Sequence, residues 1–293
     1  MKIVNLDLKN KKNVIICLGI LVVFVILIML IFMFTKKSEV AKDINYIKSD
    51  IKNEKEAKTQ DIPNISFNAS LPIFMYHFVR DDTGDYMYPE NMVKTSSLEE
   101  QFEALNKNGF ESIFDNEIEN LYMYNKPVMI TFDDGWEDVF LVAFPLAKKY
   151  NIKINVFVIT DYIGKEGYCS VDELKTMLDS KIVKIDSHTV THPRLNTLDY
   201  NAQYQELSGS KSKLKELLNV DSDVICYPYG LRDDNTIKIS KELGYKYGFD
   251  MLGGVFYTNI NTDMYKIPRI YVNRSMSLKN FLDYANKSSV NIN

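Results

Sequence analysis

From residue 71 to residue 272, short apolar runs alternate with segments of helical character, and this alternation restricts the fold more than any other property of the chain. The runs are LPIFMYH (71–77), VMITF (128–132), INVFVIT (154–160), IVKIDS (182–187), DVICYP (223–228), YKYGF (245–249) and PRIYV (268–272). Between the first two, SLEEQFEALNKNGF opens on Ser97, places Leu98, Phe102 and Leu105 on one helical face and stops at Gly109. SVDELKTMLDS carries a capping-box pattern in Ser170 and Glu173, and residues 198–219 have the length and spacing of a longer helix. Strand-then-helix units repeated six or seven times predict parallel strands joined by crossover helices. The expected class is α/β, as a distorted or incomplete (β/α) barrel, with an open doubly wound sheet as second choice. Both architectures put the active site at the carboxyl ends of the strands.

Ahead of this pattern, residues 14–34 (VIICLGILVVFVILIMLIFMF) contain no charge. At about 1.5 Å per residue they are long enough for a hydrocarbon layer of roughly 30 Å. The run exceeds the apolar core of a cleavable signal and no A-x-A-like site follows it, so one retained N-terminal transmembrane helix is expected. Lys2, Lys9, Lys11 and Lys12 precede it against a single Asp7, while Lys36 and Lys37 follow, which orients residues 1–13 to the cytoplasm. The rest is then extracellular at the cell membrane: a polar linker over 35–70 and one catalytic domain over 71–293, expected as a monomer. A net charge of −4 leaves no basic surface for nucleic acid. Of three cysteines Cys17 falls in the span, leaving Cys169 and Cys226 as free or buried thiols rather than a disulfide framework.

Three polar clusters follow strand-like runs: ITFDDGWED (130–138), SHTVTHP (187–193) and CYPYG (226–230). Asp-Gly is a common turn pair, so Asp133 and Asp134 alone are compatible with a solvated loop. The second cluster, however, holds two of the three histidines in the chain, His188 and His192. Pro193 disfavours α geometry at His192, leaving a tight loop or a first helical turn, and either lets both imidazoles reach one ion. Two imidazoles and a carboxylate form a common catalytic zinc set with an open position for water.

TFDDG, H-T-x-x-H and Y-P-Y-G in this order resemble the polysaccharide deacetylase superfamily, carbohydrate esterase family four with its NodB homology domain, over roughly residues 71–285. The resemblance implies a distorted α/β barrel that hydrolyses N-acetyl groups on a glycan. It makes Asp133 the general base and Asp134, His188 and His192 the ligands of a divalent metal, zinc first, with cobalt, manganese or nickel also accepted. The backbone N–H of Tyr229 would assist at the oxyanion. Two departures stand out. Many members carry an arginine two residues before the proline of the third motif, where it orients the base, and here that position is Cys226. ICYPYG resembles instead the branch that includes poly-N-acetylglucosamine deacetylases. The late histidine that serves as general acid is also missing, which leaves His77 as acid or substrate ligand. Tyr76, Trp136, Pro228 and Tyr229 are the expected substrate-binding residues, with Trp136 also suited to packing beneath the metal loop. Asp250 reads as a turn residue, and Arg194 and Arg269 as members of structural ion pairs. The expected substrate is N-acetylglucosamine in peptidoglycan, with a secreted poly-N-acetylglucosamine or a catalytically weak glycan-binding role as alternatives.

Overall fold

The computed structural model describes residues 67–82, 84, 88–258 and 262–292. The expected cytoplasmic segment, the transmembrane span and the linker up to residue 66 lie outside the described residues. Among the described residues no helix is long and apolar enough to cross a membrane.

All seven apolar runs form strands: β2 (Ile73–Tyr76), β6 (Pro127–Phe132), β7 (Ile154–Val158), β8 (Val183–Ser187), β9 (Val224–Cys226), β10 (Tyr247–Phe249) and β12 (Ile270–Tyr271). Their spatial order is β10-β9-β8-β7-β6-β2-β12, every pairing is parallel, and the short β5 (Glu111–Ser112) adds to β6. From β2 to β10 the order never reverses, which removes the doubly wound alternative. Closure comes from one segment. Ile267 bridges Phe249 of β10, while Ile270 and Tyr271 pair with Phe74 and Met75 of β2, so residues 267–271 touch both edges of the curled sheet. Pro268 in between has no N–H for a ladder bond, which accounts for the split of this element into two partial pairings.

Crossover helices cover the outside: Thr95–Lys107, Phe144–Tyr150, Val171–Asp179, Tyr200–Leu218 and Asp234–Glu242. Ser170 and Glu173 form the expected capping box, and Asp199 and Asp233 cap the next two helices through Ala202 N–H and Thr236 N–H. Strand alternation then sorts the core. Phe74, Tyr76, Ile130, Phe132 and Val156 pack against the helices, whereas Ile73, Met129, Phe157, Cys226 and Phe249 form the interior cluster. Continued past β6, the inward parity of Met129 and Thr131 delivers Asp133 to the mouth of the barrel.

Two features were not anticipated. β1 (Phe67–Leu71), which includes residues assigned above to the linker, forms an antiparallel sheet with β11 (Phe256–Thr258) and β13 (Ser289–Ile292). A parallel pair, β3 (Phe78–Val79) with β4 (Met92–Val93), lies next to the site.

Candidate metal centre and active-site cleft

The three loops after β6, β8 and β9 converge, and their backbones are unusual. Asp134, Thr189, His192 and Tyr229 all have φ between 59° and 73°. Non-glycine residues in the left-handed region carry strain that surrounding contacts must hold in place. Here those contacts are visible. Asp133 N–H donates to Tyr76 C=O (2.9 Å) and Gly135 N–H to Asp133 C=O (3.0 Å). Gly135 has φ +81°, and a Cβ there would come within 2.9 Å of Val158 Cγ1. Ile159 N–H donates to Asp134 C=O, and Thr160 and Asp161 N–H donate to Thr189 and Val190 C=O, which ties the two acidic and histidine loops together. Glu206, on the long helix, accepts from the N–H groups of Val190 and Thr191 at 2.9 Å each. His192 N–H in turn donates to Thr189 Oγ1 at 3.0 Å. The histidine motif is therefore a tight loop, one of the two geometries that Pro193 left open, and not a helical turn.

At its centre Asp134 Oδ1 lies 3.5 Å from both His188 Nε2 and His192 Nε2. This oxygen is buried and has no hydrogen-bond partner. The other carboxylate oxygen, Oδ2, accepts from Trp136 Nε1 at 2.8 Å. His188 Nδ1 lies 2.8 Å from Cys226 C=O; because a carbonyl only accepts, Nδ1 carries a proton, which leaves Nε2 as the atom that would offer its lone pair to an ion. Burial lowers His188, but Cys226 and the carboxylates of Asp134 and Asp133 outweigh it and hold this imidazole above its ordinary value, whereas burial, then the charge on His188, push His192 down to about 4. Burial would raise Asp134, but His188 and the other imidazoles outweigh it and keep its carboxyl well below the usual range. Metal bonds of roughly 2.0–2.2 Å in tetrahedral geometry separate neighbouring ligand atoms by roughly 3.3–3.6 Å. Two imidazole nitrogens, each 3.5 Å from an orphaned carboxylate oxygen, fit one divalent ion that would displace the second proton of His188.

Asp133 faces a different partner. Arg269, on the closing segment between β10 and β2, donates from Nη1 to Asp133 Oδ1 at 2.6 Å and from Nη2 to Oδ2 at 2.7 Å. Its remaining N–H groups reach Asp250 C=O (3.0 Å), Thr131 Oγ1 (3.1 Å) and Cys226 Sγ (3.1 Å). All five donors of the guanidinium are used, and the side chain is fully buried. Burial pushes Asp133 up, yet the charge and hydrogen bonds of Arg269 prevail and hold it below the ordinary carboxylate value. The thiol at position 226 leaves the space that this guanidinium fills. The arginine missing from the third motif is thus replaced from another strand, 136 residues from Asp133.

These groups form the floor of a cleft of about 390 Å³ whose walls include His77, Phe78, Trp136, Tyr168, Arg194 and Tyr229. Comparison with known proteins agrees with this geometry. The family model described as polysaccharide deacetylase matches residues 122–248. YxkH of Bacillus subtilis (strain 168), a protein placed among the polysaccharide deacetylases, is 30% identical over 214 residues, covering 71% of this chain and 74% of the relative. This chain belongs to the polysaccharide deacetylase family. The poly-beta-1,6-N-acetyl-D-glucosamine N-deacetylase of Staphylococcus aureus (strain MRSA252) is 31% identical over 162 residues, which covers 50% of this chain and only 54% of that enzyme. Among solved structures, the Streptococcus pyogenes deacetylase PplD in complex with acetate superposes with a TM-score of 0.68 at 27% identity, covering 74% of this chain and 98% of PplD.

Within this deacetylase the expected residues have distinct places. Asp133, Asp134, His188 and His192 meet on the cleft floor. His77 follows β2 on the same wall, with Nδ1 buried and unpartnered and its ring edge-on to Tyr271 at 6.3 Å. Trp136 is sandwiched between Phe78 and Tyr168, at 4.3 and 4.1 Å, so it both lines the cleft and steadies Asp134. Tyr229 is exposed beside His192, while Pro228 is buried behind it and does not line the cleft. Tyr76 does not line it either. It shares the outward parity of Phe74, and its hydroxyl donates to Gln101 at 2.7 Å in the helix layer, so the substrate-binding assignment fails on strand alternation. Asp250, just past β10, accepts from Met251 and Leu252 N–H through its side chain and pairs with Arg232 at 2.6 Å. The left-handed turn at Asp134 sends its carboxylate away from that of Asp133. Arg269 was expected in a structural ion pair and forms one; that its partner is Asp133 went unread. Its one signal is a charge inside an apolar strand run, PRIYV.

Proposed function

We propose that this chain is a metal-dependent N-deacetylase of N-acetylglucosamine in a cell-envelope glycan, with peptidoglycan as its substrate. The observation that carries the reading is the buried, unpartnered Asp134 Oδ1 set 3.5 Å from two imidazole nitrogens and beside a carboxylate held by arginine. Asp134, His188 and His192 would hold the ion, zinc first by its preference for this donor set. A divalent ion there supplies a Lewis acid that acidifies water and offsets charge building on the acetyl oxygen.

The residues of the chain do the rest. Asp133 stays ionised at neutral pH because of Arg269, and while Oδ2 also accepts from the Cys226 thiol, Oδ1 keeps a second lone pair with which to take the proton of the attacking water. Tyr229 offers its backbone N–H to the developing oxyanion. His77, whose Nδ1 is unpartnered at the cleft wall, protonates the leaving amine. Phe78, Trp136 and Tyr168 supply an apolar wall on which a sugar ring can stack. The uncharged run at 14–34 supports a membrane anchor that keeps the catalytic unit outside the cell and close to the wall.

Poly-N-acetylglucosamine is the second reading, favoured by the 31% identity to the staphylococcal enzyme over 162 residues. A glycan-binding role without catalysis loses its main support, because the arginine absent from the third motif is supplied by Arg269. Acetate release from peptidoglycan and from chitooligosaccharide, with metal chelated and restored and with Asp133→Asn, tests the proposal. Metal-dependent acetate that disappears in Asp133→Asn is expected. Glycan affinity without such acetate would refute catalysis.

A further inference from the structure

The loop that sets His192 also places a cation beside it. Pro193 and Arg194 follow directly, and Arg194 C=O accepts from both the N–H (2.9 Å) and Oγ1 (2.7 Å) of Thr197, which pins this stretch of backbone. The Arg194 guanidinium lies 4.5 Å from the centroid of the Tyr229 ring, and that ring lies 4.6 Å from the imidazole of His192. The left-handed turn at Tyr229 (φ 59°) is fixed by Gly230 (φ +65°), where a Cβ would meet Asp250 Oδ1 at 2.7 Å. Imidazole, phenol and guanidinium thus form a tilted stack from the metal-binding loop toward the cleft mouth.

Two facts separate this arginine from a structural one. Among the described residues no carboxylate lies within 4.0 Å of its nitrogens, and no other lysine or arginine lines the cleft. The carboxylates deeper in, Asp133 and Asp134, are already engaged by Arg269, Trp136 and the histidines. A guanidinium whose face rests on an aromatic ring keeps the N–H donors of its edge in plane, the geometry that suits a carboxylate.

We propose that Arg194 and Tyr229 form a subsite for a carboxylate carried by the glycan, next to the acetamido group to be cleaved. This rests on the deacetylase reading and narrows its substrate class. A neutral homopolymer of N-acetylglucosamine offers the guanidinium no counter-charge. It also becomes cationic as amines are freed, so Arg194 repels it as reaction proceeds. A polymer that carries carboxylates, as an ether-linked lactyl group or on attached peptides, gives the subsite its partner.

Trp136 is the only tryptophan in the chain and lines the cleft, so its fluorescence reports occupancy in the full chain. Three ligands of equal glycan length serve as probes: a neutral chitooligosaccharide, a lactyl-bearing oligomer stripped of peptide, and the same oligomer with its peptide. At least one carboxylate-bearing ligand should bind about ten-fold or more tightly than the neutral one, the loss of a charge-assisted pair being of that size. Arg194→Gln should remove the preference, and Arg194→Lys should retain part of it. Whichever carboxylated ligand is preferred identifies the source of the charge. Equal affinities in the parent chain, or a preference that survives Arg194→Gln, would overturn the subsite. Acetate release from the same ligands decides the deacetylase reading separately, since a carboxylate preference without acetate keeps this proposal and removes that one.

Discussion

Arg269→Met is the most informative perturbation of the site. The substitution keeps an apolar stem of similar length and removes five donors, of which two hold Asp133 at 2.6 and 2.7 Å. Asp133 is 1% exposed, so nothing replaces them and a buried carboxylate is left unpaired. Breaking one side of a buried ion pair costs about 3–5 kcal/mol. At about 1.36 kcal/mol per pKa unit, that range corresponds to a rise of roughly 2–4 units in the Asp133 carboxyl if the chain relieves the cost by protonation. The sign follows from linkage. In the parent chain the folded pKa is lowered, so the stabilising contribution is full above the unfolded carboxylate range and is lost as pH falls through the folded value. The stability gap between parent and variant should therefore be widest near neutral pH and close on acidification. Denaturant unfolding at several pH values measures the gap, and the acidic limb of the acetate-release profile should move upward in the variant. Arg269→Lys keeps the charge on one nitrogen and should fall between the two. A gap below about 1 kcal/mol at neutral pH, the surface-pair value, or an acidic limb that stays in place, would refute the positioning role of Arg269.

Three further outcomes follow from the same geometry. Trp136→Phe preserves stacking on Phe78 and Tyr168 but deletes the 2.8 Å bond to Asp134, so metal affinity should weaken by about 10–100-fold, read by metal titration rather than by turnover. Gly135→Ala should destabilise the fold by about 1–2 kcal/mol for the left-handed backbone alone, with more from the 2.9 Å approach to Val158, read as a lowered midpoint of thermal unfolding. Asp138, raised by burial to about 6 despite Arg80, binds its proton more tightly folded than unfolded. Its contribution is full below the unfolded carboxylate value and fades as pH rises toward about 6, a change of about 3 kcal/mol that Asp138→Asn should abolish in unfolding curves taken across that window.

The barrel class and the meeting of Asp134, His188 and His192 were legible without coordinates because each rests on local pattern. Apolar runs with intervening helical periods give parallel strands in series, and the polar clusters at 133–134, 188–192 and 226–230 each follow one of them. Strand parity, also local, would have excluded Tyr76 from the cleft, since it shares the face of Phe74. The N-terminal sheet was harder to read: β1 pairs with β11 and β13, partners separated from it by most of the folded unit, and a short strand without a nearby helix looks like linker.

Which residue orients Asp133 was decided by tertiary structure alone. Arg269 and Asp133 meet only because residues 267–271 close the sheet between β10 and β2, and because Cys226, from a third strand, leaves the space for a guanidinium. The grip of Glu206 on the histidine loop and, among the described residues, the lack of a carboxylate beside Arg194 share that character. A sequence specifies ligands through spacing along the chain, whereas the partner of a buried charge is set by which strands a closed sheet brings side by side.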